Sequence, residues 1–280
     1  MVTNSNRVQA AERLRGRLSF GRAAQFYQPQ IDLQSGRIAG AEALLCAPCP
    51  QGHAAVRRLI QEIGAAGLSM ALFEHQVREA CRAQADWQRC FPHEFPVALA
   101  IPNSVFDSGL LLPLVLPILD GAGLAAGRLE LEITESLCMA NSRALRMLTS
   151  LRSAGFAIAL SGVTAARVNL RLLSMIPFTK LRIDALTERR VLDGLIGTAR
   201  GLGVEVCTTG VHSPGLLAAV ARQVRTLAQG EEVCGALDAG SFLQRLQNLN
   251  EETMTLPCPG VRTPRPDKRM VRSLAIELAP

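Results

Sequence analysis

The stretch that decides the fold is FYQPQIDLQSGRIAGAEALL, from Phe26 to Leu45 of the 280-residue chain. Its apolar residues predict two strands, and Gly36 ends a polar turn between them because glycine takes positive φ at little cost. One acid, Glu42, interrupts the second apolar run. An unpaired buried charge is costly, so two hypotheses stand: a strand-end carboxylate with its head in water, or a metal ligand or acid at the mouth of a barrel.

This stretch resembles the start of the EAL family, the bacterial cyclic di-GMP phosphodiesterase domain. The resemblance rests on Tyr27-Gln28-Pro29 and Glu42-Ala43-Leu44, and on three later stretches: LELEITES from Leu129, FTKLRID from Phe178 and TLAQG from Thr226. Alternating strand and helix patterns predict an α/β protein. The resemblance implies a TIM-like (β/α)8 barrel whose site lies at the C-terminal ends of its strands.

The domain organisation predicted from the sequence is a single barrel with two basic extensions. Residues 1–20 form a basic segment with a short helix from Val8 to Leu18, residues 21–249 form the EAL-like barrel, and residues 250–280 form a tail rich in Pro and Arg. The tail is interpreted as a flexible extension. Its alternative is a docking segment for an acidic partner or nucleic acid.

Composition limits the function classes. A hydrophobic content of 48% supplies a sizeable core, and a net charge of +6 does not by itself indicate nucleic-acid binding. The sequence has no secretory h-region and no apolar run long enough to cross a bilayer, so we expect a cytoplasmic protein with reduced core cysteines. The CxxC spacing of Cys46 and Cys49, with His53 nearby, is short of the four ligands of a zinc site.

Most of the family's metal-binding and catalytic positions carry other residues here. In the family these positions hold an Asn, two adjacent Asp, a Lys and two Glu. This chain has Ala100, Ser161, Gly162, Arg182, Thr209 and His212. Only Glu42, Glu132 and Asp184 remain of the metal ligands. Mg²⁺ and Mn²⁺ need several hard oxygen ligands. Arg182 keeps the positive charge of the family's Lys, but its planar guanidinium is not equivalent to the compact ammonium group of Lys. We therefore expect no catalytic residue and no metal cofactor.

Three functional hypotheses follow from the resemblance. The first is a non-catalytic regulator in signalling that controls motility, biofilm or virulence and binds an unidentified protein partner. The second is a cyclic di-GMP receptor that does not hydrolyse its ligand, although the Arg that usually follows Glu-Ala-Leu is missing and only Arg182 could supply a charge. An active phosphodiesterase is the third, and the lost ligands disfavour it. The remnant of a ligand site would comprise Gln28, Glu42, Leu44, Glu132, Arg182, Asp184 and Gln229.

Overall fold

Eight strands close into one barrel in the order in which they occur in the chain. They are β1 Ala24–Asp32, β2 Ile38–Cys46, β3 Val97–Ala100, β4 Leu129–Thr134, β5 Ala157–Val163, β6 Lys180–Asp184, β7 Glu205–Thr209 and β8 Leu227–Ala228. The structure is a computed structural model that describes residues 23–46, 52–91, 94–139, 142–163, 173, 175–223 and 226–251, together with 9, 12 and 16. The barrel predicted from the sequence is confirmed.

The first strand runs against the others. β1 pairs antiparallel with both β2 and β8, whereas the remaining neighbours are parallel. The cause is local: a short turn joins β1 to β2, Gly36 adopts φ of 69°, and a tight turn can only connect antiparallel strands. The predicted pair of strands and turn is therefore correct, and the repeating strand-helix units begin at β2.

Helices of the described residues surround the barrel. They are α1 Gly52–Ala65, α2 Ser69–Cys90, α3 Asn103–Asp107, α4 Leu111–Ala122, α5 Glu135–Met139, α6 Ser142–Ser153, α7 Arg189–Gly201, α8 Pro214–Ala221 and α9 Ala239–Glu251. The first two confirm the pair of helices that apolar spacing predicts between residues 54 and 90. No helix in the described part of the chain is long and apolar enough to cross a membrane.

An aromatic cluster ties the C-terminal helix to the barrel. Trp87 on α2 stacks on Phe242 of α9 with ring centroids 4.4 Å apart, and Tyr27 of β1 meets Trp87 edge-on at 4.8 Å. The indole Nε1 of Trp87 also donates a hydrogen bond to the carbonyl oxygen of Ala239, 3.0 Å away. These contacts bury Tyr27, Trp87 and Phe242 together and fix α9 against β1.

The strands alternate between the helices outside and the barrel interior. On β4, Leu129, Leu131 and Ile133 are buried in the hydrophobic core, whereas Glu130 and Glu132 occupy the intervening positions on the opposite face. The residues that pair with the polar positions of β4 and β6 are small. Ala98 on β3 pairs with Glu130, Ala159 on β5 pairs with Glu132, and Cys207 on β7 pairs with Arg182. Small residues there leave room for long polar side chains from the even-numbered strands.

Some expectations fall outside the described residues or need correction. The helix from Val8 to Leu18, the tail after residue 251, and Cys49 and the side chain of His53 lie outside them, so the domain limits stay a prediction. The buried strand expected from Phe95 to Ile101 is shorter, at Val97–Ala100. Cys81 and Cys207 are buried as expected, but Cys46 and Cys234 are half-buried and Cys90 is exposed rather than in the core.

Candidate functional site

A buried guanidinium lies between two carboxylates inside the barrel. Arg182 on β6 is only 2% exposed. Its Nη2 donates to Oε2 of Glu42 on β2 at 2.5 Å, and its Nη1 donates to Oε1 of Glu132 on β4. Strands β2 and β6 lie opposite each other in a closed barrel of eight. One cation therefore bridges two acids from different sides of the interior.

Gln229, immediately after β8, completes this layer. Its Oε1 accepts from Arg182 Nη2 at 3.2 Å, and its Nε2 donates to Glu42 Oε2 at 2.5 Å and to Gln28 Oε1 at 3.0 Å. Gln28 in turn donates to the carbonyl oxygen of Cys234. Layers built from alternate strands are the usual filling of such barrels. Here the layer is polar and each member orients the next.

A second buried ion pair lies one layer nearer the N-terminal ends of the strands. Lys180 on β6 places Nζ 2.8 Å from Glu130 Oε2, 2.8 Å from Gln30 Oε1 and 3.5 Å from Glu205 Oε2. Gln30 Nε2 donates to Gln229 Oε1 at 3.2 Å, which joins the two layers. The interior is thus one connected polar network.

This second pair was not predicted from the sequence, although the sequence contains a signal for it. Polar residues recur at every second position of three strands that are otherwise apolar, which is the pattern of a polar barrel interior. They are Gln28 and Gln30, Glu130 and Glu132, and Lys180 and Arg182.

The charges of the interior do not balance. Glu42, Glu130 and Glu132 face Lys180 and Arg182. The pKa of Glu132 is raised to about 8, chiefly by burial; Arg182 and Lys180 lower it, and Glu42 and Glu130 raise it. Burial lowers the pKa of Arg182, but Glu132 and Glu42 outweigh this, so its pKa is raised. The guanidinium therefore stays charged, and the pKa of Glu132 lies well above its ordinary value.

Asp184 does not join the other two remnant ligands. It is half-buried at the end of β6, and its Oδ1 accepts a hydrogen bond from the backbone N–H of Leu186 at 2.8 Å. No group of three His, Cys, Asp or Glu among the described residues is placed to hold a metal ion. The two remaining acids of the layer already bind a guanidinium, so the side chains present do not fit the family's pair of divalent cations.

The positions where the family has other ligands offer no carboxylate here. Ser161 Oγ donates to a carbonyl oxygen of β4 at 3.2 Å, and Thr209 Oγ1 donates to one of β6 at 3.4 Å. Gly162 adopts φ of 71°, Ala100 ends β3 beside Glu132, and His212 is exposed. The two hydroxyls thus bond to the barrel wall.

The hypothesis that Glu42 is a strand-end carboxylate in water needs correction. Its side chain is 3% exposed, so the carboxylate does not lie in water, and it is paired with Arg182. Arg182 directs both terminal nitrogens to Glu42, Glu132 and Gln229. Both terminal nitrogens of Arg182, the residue considered as a source of charge for cyclic di-GMP, are therefore engaged by protein groups. Leu44, two residues further along β2, is half-buried.

Comparison with known proteins identifies the family. The EAL domain matches residues 11–236. The chain is 31% identical over 188 residues to the uncharacterized protein sll1895 of Synechocystis, covering 66% of this chain and 27% of that protein. It is 27% identical over 241 residues to the cyclic di-GMP phosphodiesterase NbdA of Pseudomonas aeruginosa, covering 82% and 31%. The chain thus spans less than a third of each of these curated relatives.

A solved structure supports the fold. The PaMucR phosphodiesterase, in complex with cyclic di-GMP, superposes with a TM-score of 0.73 at 23% identity over 84% of this chain and 99% of that one. At this identity the likeness concerns the architecture alone. The barrel, the family match and the curated relatives agree: this chain belongs to the EAL domain family.

Proposed function

We propose that this protein is a non-catalytic EAL-domain protein, which acts in bacterial cyclic di-GMP signalling by binding a protein partner. The observation that carries the proposal is the position of Arg182 between Glu42 and Glu132. The guanidinium of Arg182 thus binds the two acids, Glu42 and Glu132, whose counterparts in the family bind metal.

The family's chemistry makes this substitution decisive. Hydrolysis of a phosphodiester by metal-activated water uses two cations, which clamp the attacking and leaving oxygens and lower the pKa of the bound water. A guanidinium only donates hydrogen bonds, through five N–H groups, and it cannot coordinate a water molecule as a metal ion does. The neighbouring Ser161 and Gly162 supply no carboxylate for a second cation. Loss of several groups that act together leaves little turnover.

A cyclic di-GMP receptor is the second candidate. In its favour, Gln28, Glu42, Leu44, Glu132 and Gln229 are retained, and the PaMucR structure contains cyclic di-GMP. Against it, recognition of a phosphate uses charged donors, and the terminal nitrogens of Arg182 are engaged by protein groups. Each charged side chain of this layer already has a partner in the protein, which favours a function of the outer surface.

The test is calorimetric titration of the purified protein with cyclic di-GMP, with and without Mg²⁺ or Mn²⁺, followed by analysis for the linear dinucleotide. An active EAL domain treated in parallel is the control. We expect neither heat nor product, and a pull-down would then seek the partner. Binding without product that is lost in Gln28→Ala would promote the receptor. Metal-dependent hydrolysis would refute the proposal.

A further inference from the structure

We infer that Glu42, Glu132 and Gln229 form a guanidinium-binding site, which the chain fills with its own Arg182 and which an external guanidinium ion fills when that side chain is truncated. The inference rests on the same interpretation of the site as the proposed function, but it concerns a ligand class that can be tested directly. Its readout is the stability of the protein and does not depend on hydrolysis.

The acceptors match the donor geometry of a guanidinium. Nη1 meets Glu132 on one side, and Nη2 meets both Glu42 and Gln229 on the other. The planar fork of a guanidinium delivers several donors in fixed directions, whereas an ammonium or a metal ion imposes other geometries. The site is therefore specific for shape as well as for charge.

The backbone positions that carry the two acids, and the side chain of Gln229, do not depend on Arg182. Glu42 and Glu132 lie in the middle of β2 and β4, which pair with their neighbours along their length. Gln229 is held by bonds to Gln28 and Gln30. Truncation of Arg182 to Ala would leave the strands that carry these groups in place around a cavity the size of the lost guanidinium. Since Glu42 would lose the cation it pairs with, the cavity would attract a cation.

A divalent cation is the poorer occupant. Mg²⁺ demands near-octahedral oxygen coordination, and this layer offers two carboxylates and one amide oxygen that faces Arg182. Asp184 is turned to the backbone N–H of Leu186 instead. We therefore expect guanidinium to bind the truncated site more tightly than Mg²⁺ or Mn²⁺.

The experiment measures thermal unfolding of Arg182→Ala with and without guanidinium chloride at about 10 mM, against the same concentration of NaCl. Binding with a millimolar dissociation constant would raise the Tm by roughly 2–5 °C. The matched control is Arg128→Ala. Arg128 is also buried, but its Nε donates to Gln84 Oε1 at 2.9 Å and its ion pair with the exposed Glu94 spans 3.7 Å.

A rise in Tm confined to Arg182→Ala, absent from the wild type and from Arg128→Ala, is the expected result. No rise with guanidinium, or a larger rise with Mg²⁺ or Mn²⁺, would overturn the inference. If Arg182→Ala does not fold, the wild type provides the test by ¹⁵N NMR with Arg182→Lys for assignment. A clamped Arg182 should give separate, slowly exchanging Nη signals, and rapid exchange would overturn the inference.

The two proposals fail in different ways. Product from cyclic di-GMP would refute the proposed function whatever the unfolding temperatures are. An absent guanidinium effect in a protein without hydrolysis would refute only the binding site.

Discussion

Arg182 on β6 and Glu42 on β2 meet across the interior of the barrel, with Nη2 and Oε2 2.5 Å apart and both side chains at most 3% exposed. Such a pair gives little net stability, because both charges lose their hydration. Removal of one member of the pair, in contrast, strongly destabilises the fold, because it leaves the other charge buried without a partner.

Arg182→Met should lower the free energy of unfolding by about 3–5 kcal/mol, because it leaves Glu42 and Glu132 without their shared cation. The control is Arg78→Met, which removes an ion pair with Glu74 in which the arginine side chain is 55% exposed. That change should cost less than about 1 kcal/mol. Urea denaturation of the two variants measures the difference, and equal losses would contradict the buried pairing.

The stability should fall with rising pH between about 4.5 and 8 because of Glu132. The pKa of this group is raised in the folded protein from 4.5 to about 8, so the folded state keeps a proton that the unfolded state releases. The contribution is full below the unfolded pKa and is lost as the pH rises through the folded one, at about 1.4 kcal/mol per pH unit.

The measurement is the free energy of unfolding as a function of pH for the wild type and for Glu132→Gln. The difference between the two removes the effect of all other titrating groups. The wild type should show the steeper decline over this range, and parallel curves would mean that Glu132 is ionised in the folded protein.

Gly40→Ala should destabilise the protein by about 1–3 kcal/mol. A Cβ at this position of β2 would lie 2.7 Å from Oε1 of Gln30, the atom that accepts from Lys180. In a Gln30→Ala background the same change should be nearly neutral. The matched control is Gly194→Ala on α7, where no atom lies within 4 Å of the added Cβ. There we expect a gain of about 0.5–1 kcal/mol. Thermal unfolding of the Gly40→Ala and Gly194→Ala variants tests both expectations. An unchanged stability of Gly40→Ala would argue against close packing of Gln30.

Asp238→Ala should cost about 1 kcal/mol, because Asp238 caps α9. Its Oδ1 accepts from the backbone N–H groups of Gly240 and Ser241 at 3.0 Å, and its Oδ2 accepts from Ser241 Oγ at 2.7 Å. The hydrogen bonds with Ser241 lower the pKa of Asp238. The stabilisation is therefore present above the ordinary value of 3.8 and is lost as the pH falls through the lowered pKa.

Unfolding of the wild type and Asp238→Ala at neutral and acidic pH tests this capping role. The two proteins should converge once the carboxyl group is protonated in both states of the wild type. A constant difference down to the acid limit would indicate packing rather than capping.

Part of the candidate site was predictable from local patterns. The alternation in LELEITES places Glu130 and Glu132 on the face opposite the apolar residues, and the substitution of the family's acids at Ser161 and Gly162 needs no structure to be noticed. The position of Asp184 was not predictable, because its orientation depends on the turn after β6. The pairing of Lys180 with Glu130 was missed because neither residue carries a family role.

The sequence by itself determined the hairpin, the strand-helix order and the alternation of polar and apolar positions on β4, because these follow from periodicities and residue types over a few positions. Only the tertiary structure decided which charges meet. Arg182 and Glu42 are 140 residues apart and touch because closure of eight strands brings β6 opposite β2. A buried charge must find its partner in that closed space, and closure is a property of the whole barrel.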